Sequence, residues 1–242
     1  MKYFNHLMSK QDIDQWTFFE LTGCPDGLMT YLVQLAELAQ QREIAATMVW
    51  LSFNSSPVDK IERAIKEWQN TYVDDIGSQS LSETQDHTST CYDANYEDEC
   101  NARADQYHCS EAWRQALLIY IQRVFRWDRI SNVSGSLMIR ARKTLDHVRC
   151  CRYSSQTQKQ VLLPVFLAGG EIADEEMRQC VRSYCNWWAE RSRYKMFCSV
   201  PELLEKVWST DRSTNSAVWW GSVIDRKSGL SNQQDDFQYL FG

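Results

Sequence analysis

With 242 residues, 43% of them hydrophobic and 24% charged, the chain has the composition of an ordinary globular protein and a length that fits one large helical domain with a long surface insertion. Ten tryptophans against four prolines leave much aromatic surface to bury. The formal net charge of −6 excludes a chain that grips nucleic acid through a basic face of its own, because the phosphate backbone calls for a surplus of Lys and Arg.

The apolar set Leu28, Tyr31, Leu32, Leu35, Leu38 and Ala39 steps by three and four and predicts a helix between Pro25 and Arg42. Pro25 falls in its first turn, where a missing N–H is harmless. Ser56-Pro57-Val58-Asp59 reads as a cap with a carboxylate three residues on, and Ile61, Ile65, Trp68 and Tyr72 form the buried stripe of the helix that follows. From Thr71 to Gln106 the acids Asp74, Asp75, Glu83, Asp86, Asp93, Glu97, Asp98, Glu99 and Asp105 face only Arg103. Such a tract buries too little apolar surface to offset its ordering entropy, so 71–106 is expected to be an acidic flexible insertion, read as a solvated loop in preference to an acidic interaction tract. Cys91, Cys100 and Cys109 recur evenly beside His108, but without a fourth ligand they do not specify a metal.

Ser110 is a plausible cap, with Glu111 in the first turn, and Trp113, Leu117, Tyr120, Val124 and Trp127 keep helical spacing after it. Arg114 is placed to pair with Glu111 on the neighbouring turn or with a ligand carboxylate. Leu137, Ile139, Leu145 and Val148 predict another helix, whose surface carries Arg140, Arg142, Lys143, Arg149 and Arg152. This basic cluster lacks interleaved aromatics and reads as a solvated face that docks the acidic insertion or a partner. The run Val161 to Leu167 has no polar face, so protein must surround it, and it is far shorter than the about 20 residues of a membrane span. Ala173-Asp174-Glu175-Glu176 then opens an amphipathic helix with Met177, Val181, Tyr184 and Trp188 inward. A last helix is expected from Ser199-Val200-Pro201-Glu202, burying Leu203, Leu204, Val207 and Trp208. Trp219, Trp220, Phe237, Tyr239, Leu240 and Phe241 are expected to fold the tail back on the body.

No period-two pattern appears. The expected fold class is all-α, with roughly eight to ten helices packed as antiparallel hairpins around the buried Val161–Leu167 segment, in a single helical domain over 1–242. The nine cysteines form no CxxC and are odd in number, and the N-terminal MKYFNHLMSKQDIDQW lacks the apolar core of a secretory signal. Reduced thiols in an intracellular, membrane-free protein are expected. On that basis the acceptor patterns Asn54-Ser55-Ser56 and Asn132-Val133-Ser134 are discounted. No GxSxG, P-loop, HExxH or dinucleotide fingerprint occurs, so no catalytic residues, cofactor or metal are expected. The nearest enzyme motif, Asp74-Asp75, resembles the paired aspartates that hold magnesium in all-α isoprenoid-diphosphate enzymes, but it lacks the further acids and the second metal motif which that chemistry uses.

Five segments in order carry a resemblance: Leu21-Thr22-Gly23-Cys24-Pro25-Asp26 into LMTYLVQLAELA, then HCSEAWRQALLIYIQRVFR, LLPVFLAGGEIADEEMR, PELLEKVW and WWGSVID. Together they resemble the fungal-specific transcription factor domain found C-terminal to a binuclear zinc cluster. Each piece alone is a common amphipathic helix; the specificity lies in their order and spacing. The resemblance implies a helical regulatory or effector-sensing module of a fungal transcriptional regulator, nuclear or shuttling with the cytoplasm, often dimeric, and in sterol-responsive relatives enclosing a small hydrophobic ligand. Two departures limit it. The cysteine-rich DNA-binding cluster is missing from the sequence, so a fragment, a degenerate member or a stand-alone regulatory domain is expected, without direct DNA contact. Gly169-Gly170 stands where relatives commonly show Gly-Cys, so a role for that cysteine is not carried over.

The expected mechanism is population shift: a small hydrophobic effector fills a gap between helices and exposes or hides a surface for co-regulator proteins. Trp113, Tyr120, Phe166 and Trp187 are the pocket candidates, since aromatic bodies with polar tips can orient a mostly apolar ligand, although aromatic residues at helical spacing also serve as packing. The alternative function is a helical protein-interaction scaffold with no ligand, and the remote one an isoprenoid-diphosphate enzyme.

Overall fold

A computed structural model describes residues 18–48, 50–71, 94–126 and 135–214. Among them lie nine helices and no strand, as the absence of period-two patterning requires. They are α1 (Phe18–Thr22), α2 (Asp26–Thr47), α3 (Ser56–Glu67), α4 (Ala94–Phe125), α5 (Gly135–Cys150), α6 (Gln156–Lys159), α7 (Leu162–Gly169), α8 (Glu175–Arg191) and α9 (Met196–Thr214).

The short α7 is the centre. It touches α4, α5, α8 and α9, and Val165, Phe166, Leu167 and Ala168 are all buried. A helix apolar on every side is stable only with neighbours on every side. The approach to α9 is so close at Gly169 that a Cβ there would lie 2.8 Å from Leu204 Cδ1. Trp208 Nε1, also on α9, donates to the Gly169 carbonyl at 2.9 Å. A second close seam forms at Gly23, whose φ of +64° and 2.6 Å Cβ distance to Gln160 Cβ both demand glycine. Buried Cys109 donates its thiol proton to the carbonyl of that glycine at 2.9 Å.

Most expected stripes are buried: Leu28 and Leu35 on α2, Val58, Ile61 and Ile65 on α3, Leu137, Leu145 and Val148 on α5, Met177, Val181, Tyr184 and Trp188 on α8, and Leu203, Leu204, Val207 and Trp208 on α9. Four local expectations need correction. The fourth helix starts at Ala94 rather than Ser110, so residues 94–106 of the expected acidic loop are helical. The reason is tertiary: Asp105 is buried and accepts from the Arg152 backbone N–H and from its Nε, both at 2.9 Å, and Arg152 also reaches Asp98 at 3.8 Å. Ser110 is consequently a buried mid-helix residue that donates its hydroxyl proton to the Gln106 carbonyl. At α3 the expected cap is displaced: Asn54 Oδ1 accepts from the Ser56 N–H at 3.0 Å, while Asp59 pairs with Arg126 of the chain after α4. Ile139 faces solvent, 59% exposed, away from its stripe. The last helix begins one turn early, at Met196, with Pro201 inside it and buried Phe197 anchoring the added turn. The expected packing of Tyr72, Trp127, Trp219, Trp220 and the final aromatic residues lies outside the described residues, as does the Asp74-Asp75 pair.

Candidate functional site

Gln158 organises the region where chemistry and shape come together. It is 1% exposed, and the polar QTQKQ segment enters the core only because its side chain is fully occupied. Its Nε2 donates to the carbonyls of Val148 (3.3 Å) and Cys151 (3.0 Å), and its Oε1 accepts from Trp188 Nε1 at 3.0 Å. The Tyr184 hydroxyl donates to the Gln158 carbonyl at 3.0 Å. Burial pushes the Tyr184 phenol well above its ordinary pKa, so it stays a neutral donor. This hub ties the end of α5 to α8 through the turn that holds α6.

Beside the hub, α5, α7 and α8 leave a cleft of about 540 Å³. Leu145, Val148, Val165 and Val181 give it an apolar floor, while Arg149, Glu175, Glu176, Gln179 and Ser183 stand among its lining as polar groups. Cys180 presents a half-buried thiol to it. Asp174 caps α8 by accepting from the Glu176 N–H at 3.2 Å, which fixes where the two rim glutamates stand. A second cleft, of about 450 Å³, lies past Tyr153 and is lined by the turn around α6 and the C-terminal end of α8.

The four sequence-derived pocket candidates are not brought together. Phe166 is core on α7, 1% exposed. Trp113 is buried, and its Nε1 finds no hydrogen-bond partner among the described residues. Tyr120 packs edge-on against Phe125 at 6.4 Å, and burial raises its phenol pKa. None of these three lines either cleft. Trp187 does line the second one, its ring 5.1 Å from that of Tyr153 and its Nε1 donating to the Tyr153 carbonyl. Arg114 pairs with Glu111 at 2.6 Å, the intrahelical alternative expected for it.

Two arrangements, one buried and one half-buried, carry charge or protons elsewhere. Arg123 and Glu171, both almost fully buried, form a bidentate pair joining α4 to the turn after α7. His108 and His147 meet Nδ1 to Nδ1 at 3.0 Å, so one ring donates and the other accepts. Burial lowers both pKa values; Asp105 and Glu111 oppose this at His108, and the His108 charge adds to it at His147. The thiols near them are inert. Burial raises Cys109 well above its ordinary pKa and Cys151 to about 12. Among the described residues no group of three His, Cys, Asp or Glu is arranged to hold a metal ion.

The sequence foreshadowed α8 and its stripe but not Gln158 or the Arg123–Glu171 pair. A single glutamine in a polar run, and an arginine and a glutamate separated by a long stretch of chain, leave no periodic trace. The family model described as fungal specific transcription factor domain matches residues 1–232. No curated protein and no solved structure matches the chain.

Proposed function

The chain belongs to the fungal specific transcription factor domain family, and on that premise we propose that its regulatory role is effector sensing: a small hydrophobic or amphipathic molecule occupies the cleft between α5 and α8. The observation that carries this reading is the cleft itself. Its volume of about 540 Å³ falls inside the roughly 300–1,000 Å³ range of small-molecule sites, and an apolar floor under a few polar rim groups is their usual construction.

The mechanism is a population shift. An occupant that touches α5, α7 and α8 together favours the packing in which those helices stand as they do here. Moving a two-state equilibrium from one side to the other requires a preference of about 10⁴ between states, so a modest effector biases the domain while a tight one switches it. The readout is a surface for co-regulator proteins or a second copy of the chain. The role is non-catalytic and its place is the nucleus, as befits a transcription factor domain.

The test is thermal unfolding of the purified chain with a panel of sterols and other apolar or amphipathic molecules, alongside native mass spectrometry for a co-purifying small molecule. A ligand at about 100 times its Kd adds about 2.7 kcal/mol, which for a domain of this size raises Tm by roughly 5–10 °C. Ser183→Trp, which fills the cleft from an exposed lining position, is expected to abolish that rise. No stabilisation and no bound mass would leave an interaction scaffold as the better description.

A further inference from the structure

The two clefts adjoin at Tyr153, whose ring packs on Trp187. Tyr153 belongs to the wall of both, and along α8 the lining passes from Glu176 through Cys180 and Tyr184 to Trp187 and Arg191. These positions advance by three or four residues, so they lie on one face of the helix. At 1.5 Å per residue the stripe from Glu176 to Arg191 runs about 22 Å.

Its two ends differ in chemistry. At the first end the lining carries Glu175 and Glu176 against Arg149. At the second it carries Lys159, Arg191 and Arg193 and no carboxylate. Arg191 sits over the Trp187 ring, 3.4 Å from ring centroid to guanidinium carbon, and its Nη1 donates to the Trp187 carbonyl and to exposed Glu190. Lys159 Nζ stands 5.7 Å over the Tyr194 ring and donates to Gln156 Oε1. Arg193 is exposed. Ser192, on the same wall, keeps its Oγ buried with no hydrogen-bond partner among the described residues.

We infer that the two clefts act as one groove past Tyr153 and take an amphipathic carboxylate, its apolar body over Leu145, Val148, Val165 and Val181 and its acid group among Lys159, Arg191, Arg193 and the Ser192 hydroxyl. This rests on the reading that the cleft is an effector site and adds the class and the direction of the ligand. The Arg191 guanidinium, held on an aromatic face, presents a planar, pre-ordered fork that suits a carboxylate. At the other end Glu175 is held by Arg182 at 2.8 Å, and Glu176 disfavours an acid entering the wrong way round. Tyr153, 48% exposed, stands where the body and head of the ligand meet.

Equilibrium binding of radiolabelled palmitate to the full chain, below its micellar concentration, is compared with hexadecanol and with an alkyl phosphate of the same length. Palmitate is expected to bind at least about tenfold more tightly than hexadecanol, since one charge-assisted hydrogen bond contributes that much. Arg191→Gln/Arg193→Gln is expected to weaken palmitate by about tenfold and hexadecanol far less, so that the preference is lost. An alkyl phosphate that outcompetes palmitate would overturn the carboxylate assignment. Equal binding of acid and alcohol, unaltered in the double variant, would overturn the inference while leaving the cleft as an effector site. Binding of none of the three would overturn the inference, and the sterol panel then decides independently whether the effector reading itself stands.

Discussion

Truncating one partner of the Arg123–Glu171 pair is expected to be among the costliest single changes in this protein. Both side chains are nearly without solvent contact, 3% and 0% exposed, so each charge depends on the other for its compensation. Arg123→Met or Glu171→Leu alone strands a buried charge and is expected to cost about 3–5 kcal/mol. For a domain of this size that lowers Tm by roughly 6–20 °C. The double variant Arg123→Met/Glu171→Leu removes both charges and fills the space with apolar atoms, and it is expected to return to within about 1 kcal/mol of the parent. Urea unfolding followed by far-UV circular dichroism measures all four corners of the cycle. If each single change costs less than about 1 kcal/mol, or if the double costs the sum of the singles, the pair is not the electrostatic clasp described here.

Gly169→Ala forces a methyl group against Leu204, 2.8 Å away, and is expected to cost about 1–3 kcal/mol by urea unfolding, with partial recovery in Gly169→Ala/Leu204→Val. Phe166→Ala should cost about 3–5 kcal/mol while leaving effector affinity unchanged within error, because Phe166 fills the core and lines neither cleft. Maleimide labelling read by mass spectrometry should modify exposed Cys100, Cys150 and Cys198 quickly and spare buried Cys24, Cys109, Cys151 and Cys185. Cys180, in the cleft wall, should label at an intermediate rate and become protected when the cleft is occupied; unchanged labelling with a saturating ligand would place that ligand elsewhere. Acidification should weaken the fold through the His108–His147 contact. Both pKa values are lowered on folding, so the unfolded chain binds protons first; the stabilisation is complete above the ordinary histidine pKa and is lost as pH falls through the folded values. Urea midpoints measured at neutral and mildly acid pH should differ more for the parent than for His147→Gln, and equal slopes would dismiss the pair as the cause.

Much of the fold was legible because helices announce themselves through period. Val161–Leu167 could only be a buried helix, and α7 is buried on every side. Met177, Val181, Tyr184 and Trp188 could only be an inward stripe, and all four are buried. Where local signals misled, a tertiary partner overrode them. Residues 94–106 read as loop on composition, yet Asp105 and Asp98 find Arg152, a partner from the basic cluster that the sequence itself pointed to as a docking face for the acidic tract. Ser56 and Asp59 read as a capping box, yet Arg126 claims Asp59.

The site was less legible for a reason that bears on what it is. Aromatic residues at helical spacing led to Trp113, Tyr120, Phe166 and Trp187, but a groove between helices is lined by whatever lies beside the packing stripe rather than on it. Cys180 and Ser183 flank the buried Val181 and Tyr184, and Arg191 lies beyond Trp188; hydrophobic period passes over all three. What makes the groove is the Gln158 hub, which takes up the polar tips of Tyr184 and Trp188 and so turns their apolar bodies into wall. Remove that one side-chain amide and Trp188 Nε1 loses its acceptor while the Val148 and Cys151 carbonyls lose their donor, in an interior where each unsatisfied group costs about 1–3 kcal/mol. The same residue that holds α8 to α5 stands in the wall of the cleft between them. An occupant of the cleft would lie against Tyr184, whose hydroxyl bonds the Gln158 and Lys159 carbonyls and so ties α6 to α8.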